Sequence, residues 1–310
     1  SATSVATIVH NIFARKEATN MNETKELNTY LKLLAHLKEK DLATQRLMVL
    51  EGRIVIEKAL QAGIVPRLLV CTEAEAAYWH QRADNKEGFE ATDFPLHVMS
   101  HEELCSLVDF KFHHGAIAIA DMPKLAPFDI AQVLAPLNKK ESLDPALKKC
   151  SFFLCLWDVT DPSNVGALVR TAAGLGVDGV LVGPGCANPF YRKAIRASMG
   201  NAFTLPLWSV DVHGLEKLTQ NGALLIAAAL DENSMAIDRV NSKDTLLKAV
   251  ASPQNALIIL VLGNEGYGLP PEVLALSAIH VRIPMERGVD SLNVAVAGGI
   301  LMYEIIRAKG

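Results

Sequence analysis

Leu257-Ile258-Ile259-Leu260-Val261-Leu262-Gly263-Asn264-Glu265-Gly266-Tyr267-Gly268-Leu269-Pro270 decides the fold. Six apolar residues run together with no polar alternation, which is the pattern of a strand buried on both faces of a parallel sheet. Gly263, Gly266 and Gly268 follow at once, and glycine permits positive φ and close backbone approach. Pro270 then suits the start of a helix. The glycine spacing is neither GxGxxG nor that of a phosphate-cradling Walker loop, so a dinucleotide or triphosphate site is not supported. Glu265 is the odd residue, because a carboxylate among glycines must find donors.

The same alternation extends on both sides. Strands are expected at Phe152–Trp157, Gly179–Val182, Thr204–Trp208, Leu224–Ala229 and His280–Ile283. Helices fall at about 164–175, 190–199, 213–221, 243–251 and 271–277, with a last one from Leu292 to Ala308. Strands alternating with helices predict an α/β domain with a parallel sheet over residues 151–310. Ahead of it, residues 123–150 hold four prolines (Pro123, Pro127, Pro136, Pro145) and the pairs Lys139-Lys140 and Lys148-Lys149, and read as a linker with a short helix near 129–135. Residues 22–122 form a smaller α/β domain: a helix over Glu23–Lys40, then strands at Met48–Leu50, Arg67–Cys71, Leu96–Met99 and Ala116–Ala120, with helices at Arg53–Ala62, 73–83 and His101–Val108 between them. Residues 1–21 show no periodicity and read as an N-terminal arm.

Composition excludes several classes. At 310 residues, 50% hydrophobic and 21% charged, the chain is of ordinary globular make-up, with room for two cores. No run of about 18 apolar residues marks a membrane span, and no basic-then-apolar leader opens the chain. Five cysteines (71, 105, 150, 155, 186) form no CxxC pair. They read as buried thiols of a reducing cytoplasm, and no metal site is expected. A net charge of −4 argues against a protein that coats nucleic acid nonspecifically, and leaves open a local basic face.

Two further segments stand apart from core. Asp161-Pro162-Ser163-Asn164-Val165-Gly166-Ala167-Leu168-Val169-Arg170-Thr171 lies where the first strand of the second domain gives way to a helix, the edge of an open α/β sheet where ligands bind. Asn164 is a plausible N-cap, and Arg170 is either a surface charge or an inward functional group. Ile283-Pro284-Met285-Glu286-Arg287-Gly288-Val289-Asp290-Ser291-Leu292-Asn293-Val294 precedes the last helix, which Ser291 is placed to cap with Asn293 in its first turn. Gly298 and Gly299 inside that helix cost about 1 kcal/mol each relative to alanine, so close packing against the backbone of another element is expected.

These three segments, taken in chain order, resemble the signature motifs of the SpoU family of RNA ribose methyltransferases, in the SPOUT superfamily. The matching residues are Asn164, Gly166, Arg170, Thr171 and Ala172, then Gly263, Glu265, Gly266, Gly268 and Leu269, then Ile283, Pro284, Met285, Ser291, Leu292, Asn293 and Val294. Lys193-Ala194-Ile195-Arg196-Ala197-Ser198 with Gly200 adds a match between them. The resemblance implies a C-terminal trefoil knot, S-adenosyl-L-methionine bound in the knot loops, a homodimer, and methylation of a ribose 2′-hydroxyl in RNA. It implies a catalytic set of Asn164, Arg170, Glu265, Ser291 and Asn293. Leu262, Gly263, Asn264, Gly266, Ile283, Met285, Ser291 and Leu292 are expected to hold the cofactor, since such loops offer backbone groups around an apolar slot. The N-terminal half is similar to the small α/β RNA-binding domain of many members, through Leu50-Glu51-Gly52 and His114-Gly115-Ala116-Ile117-Ala118. His114 stands where glutamine is usual, Asn264 where serine or alanine is, and Tyr267 where a polar residue is. Arg192, Lys193, Arg196 and His114 are the expected RNA contacts.

Two readings compete with an enzyme acting on large-subunit ribosomal RNA: a transfer-RNA methyltransferase, and a silent RNA- or ribosome-binding protein on the same fold. The complete catalytic set argues against the silent protein. A doubly wound dehydrogenase would need Gly174-Leu175-Gly176 as its nucleotide loop, but these glycines end a helix instead of starting one.

Overall fold

The computed structural model describes residues 21–35, 39–84, 94–108, 113–127, 129, 151–232, 234–240, 257–286 and 291–309. The chain divides into two units, Ser1–Pro123 with Phe190–Arg196, and Lys124–Pro189 with Ala197–Gly310. Residues 1–20 of the expected arm (1–21), residues 128 and 130–150 of the expected linker (123–150), and the helix expected at 243–251 lie outside the described residues, and Met21 opens a helix instead.

The first unit is built on four strands, β1 (Leu47–Glu51), β2 (Pro66–Thr72), β3 (Leu96–Met99) and β4 (Ala116–Asp121), in the order β1-β4-β2-β3. β4 runs antiparallel to both its neighbours, and β2 and β3 are parallel. Each strand forms within a residue of its expected bounds. Leu47, Val49, Leu68, Val70, Ile117 and Ile119 pack one face of the sheet against Leu31 and Leu34 of helix α1 (Met21–Ala35). Helices α2 (Glu39–Thr44), α3 (Arg53–Gln61), α4 (Glu73–Asp84) and α5 (His101–Leu107) complete the unit. Ser100 and Glu103 close α5 with a reciprocal capping box.

In the second unit eight strands form one sheet in which every pairing is parallel. They are β5 (Ala126–Pro127), β6 (Ser151–Leu156), β7 (Gly179–Val182), β8 (Leu207–Ser209), β9 (Ala223–Ala228), β10 (Met235–Ala236), β11 (Leu257–Leu262) and β12 (Ile279–Arg282), ordered β10-β12-β9-β11-β6-β7-β8-β5. Helices α6 (Pro162–Gly174), α7 (Arg192–Ser198), α8 (Val212–Gln220), α9 (Ile237–Val240), α10 (Pro271–Leu276) and α11 (Val294–Lys309) follow in chain order, with Arg192–Arg196 of α7 counted in the first unit. The chain builds outward from β6 through β7 and β8, crosses to β9, and later lays β11 between β9 and β6. That central place explains the sequence of β11: all six of its residues are buried. Because the strands are parallel, the loops leaving β6, β11 and β12 gather at one edge of the sheet.

Three expectations are corrected. The strand expected at Thr204–Trp208 is only Leu207–Ser209, because Gly200 (φ +74°) turns the chain into a 3-10 segment that takes in Thr204, whose N–H bonds the Asn201 carbonyl at 3.1 Å. Ala126–Pro127, inside the expected linker, is an edge strand paired to Trp208 and Ser209, a position where proline is tolerated. Gly298 faces the side chains of Leu168 and Leu262, where an added Cβ would lie 2.4 and 2.6 Å away, and not another backbone. Small size at that position seats α11 against α6 and β11.

Candidate active site

Two capping residues decide which side chains are available at the sheet edge. Asn164 does not cap α6. Asp161 does, accepting the Ser163 N–H at 2.7 Å with Pro162 in the first turn. The last helix is capped by Asn293, not Ser291: its Oδ1 accepts the N–H groups of Ala295 at 2.9 Å and Val296 at 3.4 Å. Asn293 uses its other end as well, Nδ2 donating to Asn164 Oδ1 at 3.1 Å, and Asn164 Nδ2 donates to Glu265 Oε1 at 2.5 Å. The polarity of this relay is set from one end. Backbone N–H groups can only donate, so Asn293 must present its oxygen to α11 and its amide to Asn164, which must in turn present its amide to Glu265. The relay ends on a carboxylate, the pure acceptor that such an order requires. Residues 101 and 129 positions apart in the chain thus meet through side chains.

The loop carrying Glu265 is a closed hairpin. Asn264 and Gly268 exchange backbone hydrogen bonds at 3.1 and 3.0 Å. Asn264 Oδ1 accepts the Gly266 N–H at 2.7 Å, and its Nδ2 reaches the Asp158 carbonyl at 3.0 Å. Gly263 is required by packing, since a Cβ there would lie 2.6 Å from both the carbonyl carbon and oxygen of Gly268.

Beside this loop lies a cavity of about 420 Å³, within the roughly 300–1,000 Å³ typical of small-molecule sites. Its lining includes Leu262, Gly263, Asn264, Gly266, Ile283, Met285, Ser291 and Leu292, the full set singled out from sequence, together with Glu265 and Tyr267. Leu269, Val281 and Leu301 extend the apolar wall, and Asp231 and Arg282 add polar groups. Asp231 was not foreseen. Its carboxylate lies 2.6 Å from His280 Nδ1 and accepts the Ser234 hydroxyl at 2.9 Å, while Arg282 Nε holds the Ser234 carbonyl at 3.2 Å. Nor was Asp158, at φ +56°. Both acids sit just beyond the carboxyl ends of parallel strands, β9 and β6, the positional signal that points to them.

Arg170 is not part of the relay. It is exposed and makes no hydrogen bond or ion pair with the described residues. Six residues beyond Asn164, it lies roughly 9 Å further along the helix and about 240° around it. Ser291 is exposed at the cavity. His114, Arg192, Lys193 and Arg196 all fall in the first unit. Arg192 Nε donates to the buried Glu51 and Arg196 Nε lies 3.6 Å from the same carboxylate, whereas Lys193 and His114 are exposed. A buried carboxylate needs such a partner, so the charge of Arg192 is already engaged. Burial pushes the thiols of Cys71 and Cys186 up to about 11, which leaves neither as a thiolate nucleophile at neutral pH. Among the described residues no three His, Cys, Asp or Glu side chains cluster to hold a metal, and no helix is long and apolar enough to cross a membrane.

Comparison with known proteins places this geometry. The model of the SpoU rRNA methylase family matches residues 151–303. An uncharacterized tRNA/rRNA methyltransferase of Mycobacterium tuberculosis is 31% identical over 274 residues, covering 86% of this chain and 84% of that protein. The chain belongs to the SpoU family. The 23S rRNA (guanosine(2553)-2′-O)-methyltransferase of Bacillus subtilis is 25% identical over 272 residues, covering 87% of this chain and 92% of its own. Among solved structures, the AdoMet-bound rRNA methyltransferase of Sinorhizobium meliloti shares the fold, with a TM-score of 0.67, 21% identity, and 94% and 97% of the two chains covered. The SpoU match begins at β6 and takes in the relay, the Glu265 loop and the cavity, while the Mycobacterium and Bacillus relatives extend over most of the chain.

Proposed function

We propose that this SpoU protein transfers a methyl group from S-adenosyl-L-methionine to a ribose 2′-hydroxyl of large-subunit ribosomal RNA. The observation that carries the reading is the Asn293–Asn164–Glu265 relay at the edge of the cavity. It ties together the three segments that hold the family's signature residues. The cavity suits the cofactor: apolar walls from Leu262, Leu269, Val281 and Ile283 for a flat ring, and Asp231, Arg282 and Ser291 for polar groups. When bound, the cofactor supplies an electrophilic methyl on a sulfonium. The protein must then hold the ribose oxygen in line and stabilise the charge it gains as its proton leaves. Glu265 fixes the loop through Asn164, Ser291 binds beside the reacting groups, and Arg170 is the cation that faces the developing oxyanion. Arginine stays protonated at accessible pH, so it acts here as a charged donor.

RNA is held by the first unit, with His114, Lys193 and Arg196 as phosphate contacts and Arg192 anchored by Glu51. The protein works in the cytoplasm as a homodimer, with the last helix threaded through a knot as in the family fold. The apolar, exposed Val296, Ile300 and Tyr303 on one stripe of α11 suit a second copy, and sedimentation velocity reads this directly. A guanosine in ribosomal RNA is favoured by the named activity of the Bacillus relative. Mapping 2′-O-methyl sites in ribosomal and transfer RNA with and without the gene decides the substrate. We expect one ribosomal position to lose its methyl group. Loss at a transfer-RNA position alone would instead support the tRNA methyltransferase reading.

A further inference from the structure

Tyr267 is 76% exposed, the most exposed large apolar side chain among the described residues, yet it is tied at both ends. Its backbone lies in the turn closed by the Asn264–Gly268 bridge, and its hydroxyl donates to Asp158 Oδ2. The seat for that carboxylate is costly. Asp158 adopts φ +56°, its N–H is bonded to the Pro184 carbonyl at 3.0 Å, and its carbonyl accepts Asn264 Nδ2 at 3.0 Å. Gly185, at φ +77°, must lack a side chain, because a Cβ there would lie 1.9 Å from Asp158 Oδ1. A left-handed non-glycine residue and an obligatory glycine are spent to hold a ring that buries little of itself. Fixing an exposed side chain costs rotamer entropy, which is recovered when a partner meets a pre-organised surface.

The ring lines the cavity beside Glu265 and Gly266. Asp158 holds the ring's hydroxyl and Glu265 lines the same cavity, so a phosphate is disfavoured there and a flat uncharged face is favoured. On the reading proposed above, the acceptor ribose sits over this cavity, and the nearest flat group is its own base. Proteins reach single-stranded RNA nucleotides by splaying them and stacking the bases on aromatic rings. We infer that Tyr267 is the platform on which the base of the target nucleotide stacks, a positioning residue that sets the ribose over the cavity.

The test uses the full-length protein and an oligoribonucleotide spanning the methylated site, made with the natural target nucleotide or an abasic one. Stacking contributes about 1–3 kcal/mol per base, so Tyr267→Ala is expected to weaken binding of the natural RNA roughly 5–150-fold. Tyr267→Phe, which keeps the ring, should recover most of the loss. On the abasic RNA, wild type and Tyr267→Ala should bind alike. Equal coupling on natural and abasic RNA would overturn the inference, as would a parallel loss of S-adenosylhomocysteine affinity measured by calorimetry, which would make Tyr267 a strut of its loop. If the wild-type chain methylates no RNA at all, the methyltransferase reading fails and the stacking role with it. If methylation proceeds without base coupling, only the stacking role fails.

Discussion

Arg170→Ala is expected to slow single-turnover methylation by about 10²–10³-fold while S-adenosylhomocysteine affinity stays within a few-fold of wild type. A ribose hydroxyl is a weak nucleophile at neutral pH, and the oxygen gains negative charge as it attacks. Of the groups in the signature segments, Glu265 is already an acceptor for Asn164, and both functional ends of Asn293 are occupied. Arg170 is exposed and unengaged by the described residues. In the proposed role, a cation that meets developing negative charge is worth most in the transition state and little in the ground state, so its removal should appear in the rate and not in cofactor binding. A rate within a few-fold of wild type, with both ligands bound normally, would remove Arg170 from the chemistry. Loss of RNA affinity alone would make it a phosphate anchor.

Gly263→Val should weaken S-adenosylhomocysteine binding by roughly 5–150-fold, the equivalent of the about 1–3 kcal/mol that overpacking costs. The obstruction is backbone, 2.6 Å from the Gly268 carbonyl, and cannot rotate away. The hairpin must open, breaking the Asn264–Gly268 pairing and moving Glu265 from Asn164, so the rate should fall as well. Gly174→Ala is the matched control: nothing lies within 4 Å of the added Cβ, and calorimetry should find cofactor affinity unchanged. Unchanged affinity in Gly263→Val would displace the cofactor from this cavity.

The sequence made the parallel sheet legible because Phe152–Leu156 of β6 and all of β11 are continuous apolar runs, and only a strand covered on both faces sustains them. The cavity lining was legible through the glycines and the Ile-Pro-Met segment, whose backbone constraints are local. What escaped depended on distance. Two-residue strands such as Ala126–Pro127 and Met235–Ala236 are too short to show a period, and exist through their partners in the sheet. Local rules make Asn164 and Ser291 candidates for capping as well as for the site, yet Asp161 and Asn293 cap the two helices. Several polar residues near a helix start satisfy the same local rule, and the choice among them is made by what the side chain meets across the site. Asp158 and Asp231 left no motif, because their partners lie 109 and 49 residues away.

The most direct measurement incubates the purified protein with methyl-tritiated S-adenosylmethionine and large-subunit ribosomal RNA, then digests the RNA with alkali. A 2′-O-methyl group blocks cleavage of its own linkage, because the neighbouring oxygen is no longer free to attack the phosphate. Label should be confined to one alkali-resistant dinucleotide and strongly reduced when Arg170→Ala replaces the wild type. Label in mononucleotides would mean that a base carries the methyl group, and would contradict transfer to the ribose.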